Sequence, residues 1–215
     1  MRRKSSGERN FKQFIIYQKL TSMFQITPSD KDFDLLYPPK IRSLSSMHWT
    51  PVSIVKQCID YFGDNQSLRV LDIGSGSGKF CLAGAMLSKH QYWGVEKRSD
   101  LVHLSRKLAK ELALNERVTF VHQDILEVDF GQFDAFYFYN PFFENLDLTD
   151  AIDKESLVDE GAYARCTNYV QDQLEKMPIA TKIVTYCTDP NLMPTSYQIV
   201  GKSAKGKLLF WMKGF

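Results

Sequence analysis

The sequence predicts a single α/β domain: a mainly parallel seven-stranded sheet, closed by an antiparallel C-terminal hairpin and preceded by an N-terminal helical extension. Three observations lead there. From residue 68 onward short apolar runs alternate with amphipathic stretches, the pattern of a parallel sheet with helices on its faces. The first run passes directly into a glycine-rich turn, Gly74-Ser75-Gly76-Ser77-Gly78. The last two runs, 197–200 and 208–212, are joined by 201–207 alone, a length that suits a hairpin and is too short for a crossover helix.

Taken in order, segment 8–24 spaces Phe11, Phe14, Ile15 and Leu20 among Lys, Arg and Gln at a helical period, which predicts one amphipathic helix. The stretch 26–46 is punctuated by Thr27-Pro28-Ser29-Asp30 and Tyr37-Pro38-Pro39-Lys40. Each proline removes a donor and biases its predecessor away from helix, so an irregular connection or flap is expected. Residues 1–46 are therefore expected to form an extension and flap, and 47–215 the main domain. A helix should begin where Thr50 can cap and Pro51 can take the first helical position, with Val52, Val55, Ile59 and Phe62 as its apolar face and Gly63-Asp64-Asn65 as its end. Strands are then expected over 68–73, 92–96, 118–122, 133–139 and 179–186. Helices are expected over 78–87, 101–112 and 156–176, the last stopping before Pro178.

Composition excludes several classes. With 215 residues, 44% hydrophobic and 24% charged, the chain is neither a disordered tail nor a fibrous repeat. Cys58, Cys81, Cys166 and Cys187 make no C-x-x-C pair, so no zinc knuckle or redox motif is expected, only buried thiols in a reducing compartment. No apolar run nears the roughly 20 residues of a membrane span. The opening Met1-Arg2-Arg3-Lys4-Ser5 leads into polar sequence instead of a signal core, and a cytoplasmic location is expected. The net charge of +2 hides an asymmetry: residues 1–20 hold six Lys or Arg against Glu8, and 201–215 hold Lys202, Lys205, Lys207 and Lys213 with no acid. The middle carries 17 basic against 24 acidic residues, a net −7. Basic ends can meet a polyanion or simply keep a chain soluble, and both readings stand.

The glycine turn holds the strongest chemical signal. Three glycines permit a tight strand-to-helix turn and let a flat ligand approach the backbone. A phosphate loop is excluded, because Gly74 and Gly78 are one residue too close and Phe80 stands where the magnesium-binding hydroxyl belongs. The NAD fingerprint fails as well, since Lys79 occupies its third glycine. What remains is a turn with an acid, Asp72, two positions before the first glycine.

Here the chain resembles the class I S-adenosylmethionine (AdoMet) methyltransferases, whose first motif reads acid-x-Gly-x-Gly-x-Gly, over about 68–215. The resemblance implies a Rossmann-like class I methyltransferase fold and AdoMet as cofactor. It implies that Asp72 answers the cofactor's charged amino acid end, with Gly74, Ser75, Gly76 and Gly78 beneath it. A sulfonium cofactor has no phosphates, so a carboxylate in the turn is an asset where it would repel a pyrophosphate. Glu96, 22 residues after Gly74 and at the end of an apolar run, can accept both hydroxyls of a ribose diol. Asp124, following the third strand in His122-Gln123-Asp124-Ile125, looks like the family's third motif, with Asp124 accepting from the adenine amino group and Ile125 packing on the ring. An N-cap role for Asp124 is equally open and does not exclude the first.

The fourth strand runs into Asn140-Pro141-Phe142-Phe143. This is similar to the Asn-Pro-Pro-Tyr/Phe loop of methyltransferases that modify planar amino nitrogens, with Asn140, Pro141 and Phe143 matching and Phe142 standing at the second proline. The resemblance implies that the Asn140 amide oxygen and the Pro141 carbonyl accept the amino hydrogens while Phe143 stacks on the target. Such acceptors aim a lone pair for in-line attack. The alternative, a plain Asn-Pro turn with Phe142 and Phe143 filling core, stays open. His48-Trp49-Thr50 precede a capped helix, and the resemblance implies that such a segment can line the pocket; a packed or capping role for His48 is the alternative. His90, His103 and His122 lack ligand spacing, so no metal is expected. Phe136, Phe138 and Tyr139 read as core.

The expected function is AdoMet-dependent methyl transfer to a nitrogen of a nucleic acid or protein acceptor, with no membrane partner. No general base is required, because a nitrogen lone pair can attack first and lose its proton later. A non-catalytic AdoMet-binding or protein-interaction module is the alternative, and an NAD-dependent oxidoreductase, disfavoured by Asp72 and Lys79, stands below both.

Overall fold

Apolar runs become fully buried strands where both faces of a parallel sheet are covered. In the computed structural model, which describes residues 28–42, 49–140 and 160–214, those strands are β1 (Arg69–Ile73), β2 (Gln91–Glu96), β3 (Val118–His122), β4 (Ala135–Phe138), β5 (Lys182–Tyr186), β6 (Tyr197–Ser203) and β7 (Leu208–Lys213). They form one seven-stranded sheet in the order β3-β2-β1-β4-β5-β7-β6. The first five pair in parallel, and β7 lies antiparallel between β5 and β6, as the sequence predicts. Strand order reverses between β1 and β4, so the crevice outside their carboxyl ends is the switch point where ligands bind in open α/β sheets.

The described helices are α1 (Asp30–Asp34), α2 (Pro39–Arg42), α3 (Val52–Phe62), α4 (Lys79–Leu87), α5 (Ser99–Glu111) and α6 (Glu160–Glu175). Strand alternation divides the core between two faces. Val70, Tyr92, Tyr137 and Val184 pack with α3, α4 and α5 on one side. Leu71, Ile73, Phe136, Phe138 and Ile183 pack with Val170 and Leu174 of α6 on the other. Phe80 stacks on Tyr137 with ring centroids 3.7 Å apart. All four cysteines are free thiols, Cys58 and Cys81 buried, Cys166 and Cys187 half-buried. Among the described residues no helix is long and apolar enough to cross a membrane.

Several local expectations are corrected. Thr50 does not cap α3, and Pro51 precedes the helix instead of opening it. The Thr50 hydroxyl shares a 2.6 Å hydrogen bond with the Tyr137 hydroxyl. The Val52 N–H donates instead to Asp30 Oδ1 at 2.9 Å, a cap delivered from 22 residues upstream. Nor is 28–42 an irregular flap: Ser29 caps α1 by accepting from the Asp32 N–H, Pro39 opens α2, and Phe33 and Tyr37 are buried in the first core with Trp49. β5 starts at Lys182 and not at 179, because Ile179 is 55% exposed in a turn. β4 starts at Ala135, since Asp134 is held just ahead of it by Arg69. β6 continues to Ser203 through a register shift between Ile199 and Gly201. The helix expected over 8–24 and the start of the one expected over 156–176 lie outside the described residues.

Candidate active site

β1 delivers the chain into the glycine turn, where Gly74, Gly76 and Gly78 have φ of 74°, 52° and 79°. The Gly74 and Ser75 N–H groups both donate to Val95 O, at 3.0 and 2.9 Å, tying the turn to β2. The glycines differ in purpose. A Cβ on Gly76 would meet nothing within 4 Å, whereas one on Gly78 would lie 2.5 Å from Phe120 and 2.8 Å from Ser105 Oγ. Gly76 thus leaves the outer side of the turn open, and Gly78 lets the turn sit on Phe120. Gly94 on β2, which sequence reading passed over, also makes room for the turn, because a Cβ there would press on Ser75 Oγ and Phe120. A glycine inside a strand pattern was the available signal.

Two carboxylates are buried at this turn. Glu96, 3% exposed, accepts from the Gly76 N–H through Oε2 at 3.0 Å and from the Arg98 N–H and Nε–H through Oε1, both at 2.9 Å. Arg98 was not singled out from the sequence. Asp72 is enclosed, and desolvation pushes its pKa up to about 7; the Cys81 thiol, donating to Oδ2 at 3.5 Å, offsets part of this, and the nearby Glu96 charge adds to the rise. Ser75 Oγ is buried and meets no hydrogen-bond partner among the described residues.

At the tip of β3, Asp124 is exposed and caps the 3-10 turn Ile125–Glu127 by accepting from the Leu126 N–H at 3.0 Å. Ile125 is buried in the second core. At the tip of β4, Asn140 adopts φ of 41°, and its N–H donates to Thr188 Oγ1 at 3.1 Å. Pro141, Phe142, Phe143 and His48 lie outside the described residues. Phe136 and Phe138 are buried as expected. Tyr139, read as core, lies beyond the end of β4 and is half-buried, its ring 4.9 Å from that of Tyr186.

Lys79, which in the sequence served only to exclude a dinucleotide fingerprint, is 4% exposed. Its Nζ donates to Asp30 Oδ1 and Asp34 Oδ1, both at 2.7 Å, and faces the rings of Phe33 and Trp49 at 5.8 and 5.4 Å. This clamp fastens α1 to the first residue after the glycine turn. His90 belongs to packing: its Nδ1 accepts from the Leu68 N–H at 3.1 Å, and burial holds its pKa below the ordinary value. Among the described residues no three His, Cys, Asp or Glu side chains gather as a metal site.

The donor set suits AdoMet. Two buried carboxylates favour a cationic ligand, the open side of Gly76 leaves room for a nucleoside, and Ser75 Oγ is a polar atom in want of a partner. A glycine turn bearing acids, set at the β1/β4 switch point of a sheet of this order, defines the class I AdoMet methyltransferase fold. The chain belongs to the methyltransferase domain family, whose match covers residues 64–186. It is 36% identical over 81 residues to an rRNA adenine N-6-methyltransferase of Clostridium perfringens, a match that takes in 38% of this chain and 31% of that protein. The chain thus covers about a third of that relative's length. Among solved structures, an RNA methyltransferase from Salinibacter ruber in complex with S-adenosyl-L-homocysteine superposes with a TM-score of 0.55 at 19% identity, over 77% of this chain and 93% of its own. TrmN from Thermus thermophilus superposes at 0.57 with 16% identity, over 82% and 52%. At such identities the likeness is one of fold.

Proposed function

We propose that the protein transfers a methyl group from AdoMet to an amino nitrogen of RNA, an adenine being the acceptor class. The observation that carries this reading is the placement of Asn140 at the tip of β4, next to the β1 glycine turn across the switch point, the position at which an amide could hold an amino group. The relative that acts on rRNA adenine supports the choice of acceptor.

When bound, AdoMet supplies an electrophilic methyl on a sulfonium sulfur. The chain's own residues do the rest. Glu96 accepts from the ribose hydroxyls, Asp72 and Ser75 face the amino acid end, and the glycines keep Cβ atoms away from the ligand. Asp124 keeps its capping bond and accepts from the adenine amino group of the cofactor, with Ile125 against the ring. The Asn140 amide oxygen and the Pro141 carbonyl accept hydrogen bonds from the two N–H groups of the acceptor amine, which orients its lone pair, and Phe143 stacks on the target base. Residues 47–215 serve as the catalytic domain and 1–46 as its extension, in a cytoplasmic protein. Incubation with methyl-labelled AdoMet and separated RNA, protein and small-molecule pools tests the reading. Label in RNA recovered as N6-methyladenosine is the expected result. Label confined to protein or metabolites, or absent altogether, overturns it.

A further inference from the structure

From residue 190 to 215 the chain contains four lysines and no Asp or Glu. The fold places three of these lysines at one end of the sheet, in or next to the reversal between its last two strands. Lys202 lies on β6, and Lys205 and Lys207 sit in the reversal between β6 and β7, all three exposed. Ala204, Lys205 and Gly206 have φ of 50°, 58° and 85°, a run of left-handed backbone that makes the reversal tight; two of the three are not glycine, a strain that tends to be kept at functional positions. Among the described residues none of the three lysines is ion-paired. Lys213 is apart from them, its Nζ bound to carbonyls at the end of α6.

The tip is fixed at the acceptor end of the sheet. The Cys187 N–H donates to Lys207 O at 2.8 Å, Leu208 registers against Tyr186, and Ala204 packs on the same core face as Tyr139 and Tyr186. Tyr139 is the residue before Asn140, and Thr188, which holds the Asn140 N–H, donates to Tyr186 O at 3.1 Å. The nearest acid along the chain, Asp189, is engaged in capping the Asn191 N–H. Lysines scattered on a surface would serve solubility alone. Lys205 and Lys207 lie in the tip that Cys187 holds next to a pair of half-buried tyrosine rings 4.9 Å apart, and Tyr139 of that pair precedes Asn140; Lys202, registered with Leu209, is on the other face of the sheet.

We propose that the β6–β7 tip and the Tyr139–Tyr186 pair form the docking surface for the single-stranded RNA that flanks the methylated nucleotide. Lys205 and Lys207 contact phosphates next to the tyrosine pair, Lys202 contacts one where the strand passes over the tip to the other face, and the exposed part of the tyrosine pair stacks on a neighbouring base, the combination that suits a single strand without reading its sequence. The proposal rests on RNA being the acceptor.

Binding of a fluorescent single-stranded RNA of about 20 nucleotides to the full chain, measured across a salt series, tests it. The triple variant K202A/K205A/K207A should bind at least about tenfold more weakly at low salt, with the log-log salt slope reduced by about 2. Lys205→Gly, which keeps the left-handed backbone, should lower the slope by about 0.7. Tyr186→Ala should lose about fivefold or more with the slope unchanged. AdoMet affinity should be that of the parent chain in all three, which reports correct folding. If the lysine variants bind with parental affinity and slope while the parent chain methylates RNA, the docking surface is wrong and the acceptor reading stands. If the parent chain neither binds nor methylates RNA, the acceptor reading fails and the docking surface falls with it.

Discussion

Burying a carboxylate beside another carboxylate is costly, and Asp72 shows where the cost falls. Its folded pKa, about 7, lies above the 3.8 of an ordinary Asp, so the folded state holds the proton more tightly than the unfolded chain does. The penalty is absent below pH 4, grows between pH 4 and 7, and is complete above 7. Asp72→Asn should therefore raise stability at pH 8 by up to about 4 kcal/mol more than at pH 4, as thermal unfolding across pH would show, while weakening AdoMet binding at pH 8. No gain in stability at pH 8 would contradict the buried-charge account. The two turn glycines make a second residue-scale contrast. Gly76→Ala costs the left-handed backbone penalty of about 1–2 kcal/mol and puts a methyl on the open side of the turn, where the proposed cofactor would lie. Gly78→Ala adds a collision with Phe120. Denaturant midpoints and AdoMet titration should show Gly76→Ala folded with reduced cofactor affinity, and Gly78→Ala losing markedly more stability.

At the scale of elements, α1 is a five-residue helix that could not persist in isolation. It is held by burial of Phe33, by the Ser29 cap and by the Lys79 clamp, and in return Asp30 caps α3. The clamp is asymmetric, with Lys79 buried, Asp34 nearly so and Asp30 46% exposed. Replacing both acids by Ala strands a buried ammonium and should cost about 3–5 kcal/mol, whereas Lys79→Met removes the buried charge and should cost distinctly less. Urea unfolding of the two variants separates these outcomes; equal losses would mean that the clamp adds little beyond packing. The prolines misled sequence reading of this region for a physical reason. Pro39 stands at a helix start, where its missing N–H is no loss, and the Thr50 hydroxyl was drawn to Tyr137 on a strand 87 residues away. A local pattern carries neither fact.

For the molecule as a whole, a ligand bound only by the folded state must raise the unfolding temperature. AdoMet at a hundredfold excess over its dissociation constant should raise Tm by about 5–10 °C, and NADH should leave it unchanged. A shift with NADH alone would return the turn to the dinucleotide reading. The sheet, its closing hairpin and the glycine turn were legible in the sequence, because strands buried on both faces, short loops and left-handed backbone each demand particular residues over a few neighbouring positions. The joining of Glu96 to the turn through Gly76 was half legible, as an acid at the expected distance but not as a hydrogen bond. The Lys79 clamp, the Asp30 cap on α3 and the docking of the β6–β7 tip against Cys187, near Asn140, could be settled only by tertiary structure. Each depends on bringing distant segments within a few ångströms of one another, and the free energy that does so comes from burying a core distributed over the whole chain, which no short stretch of sequence contains.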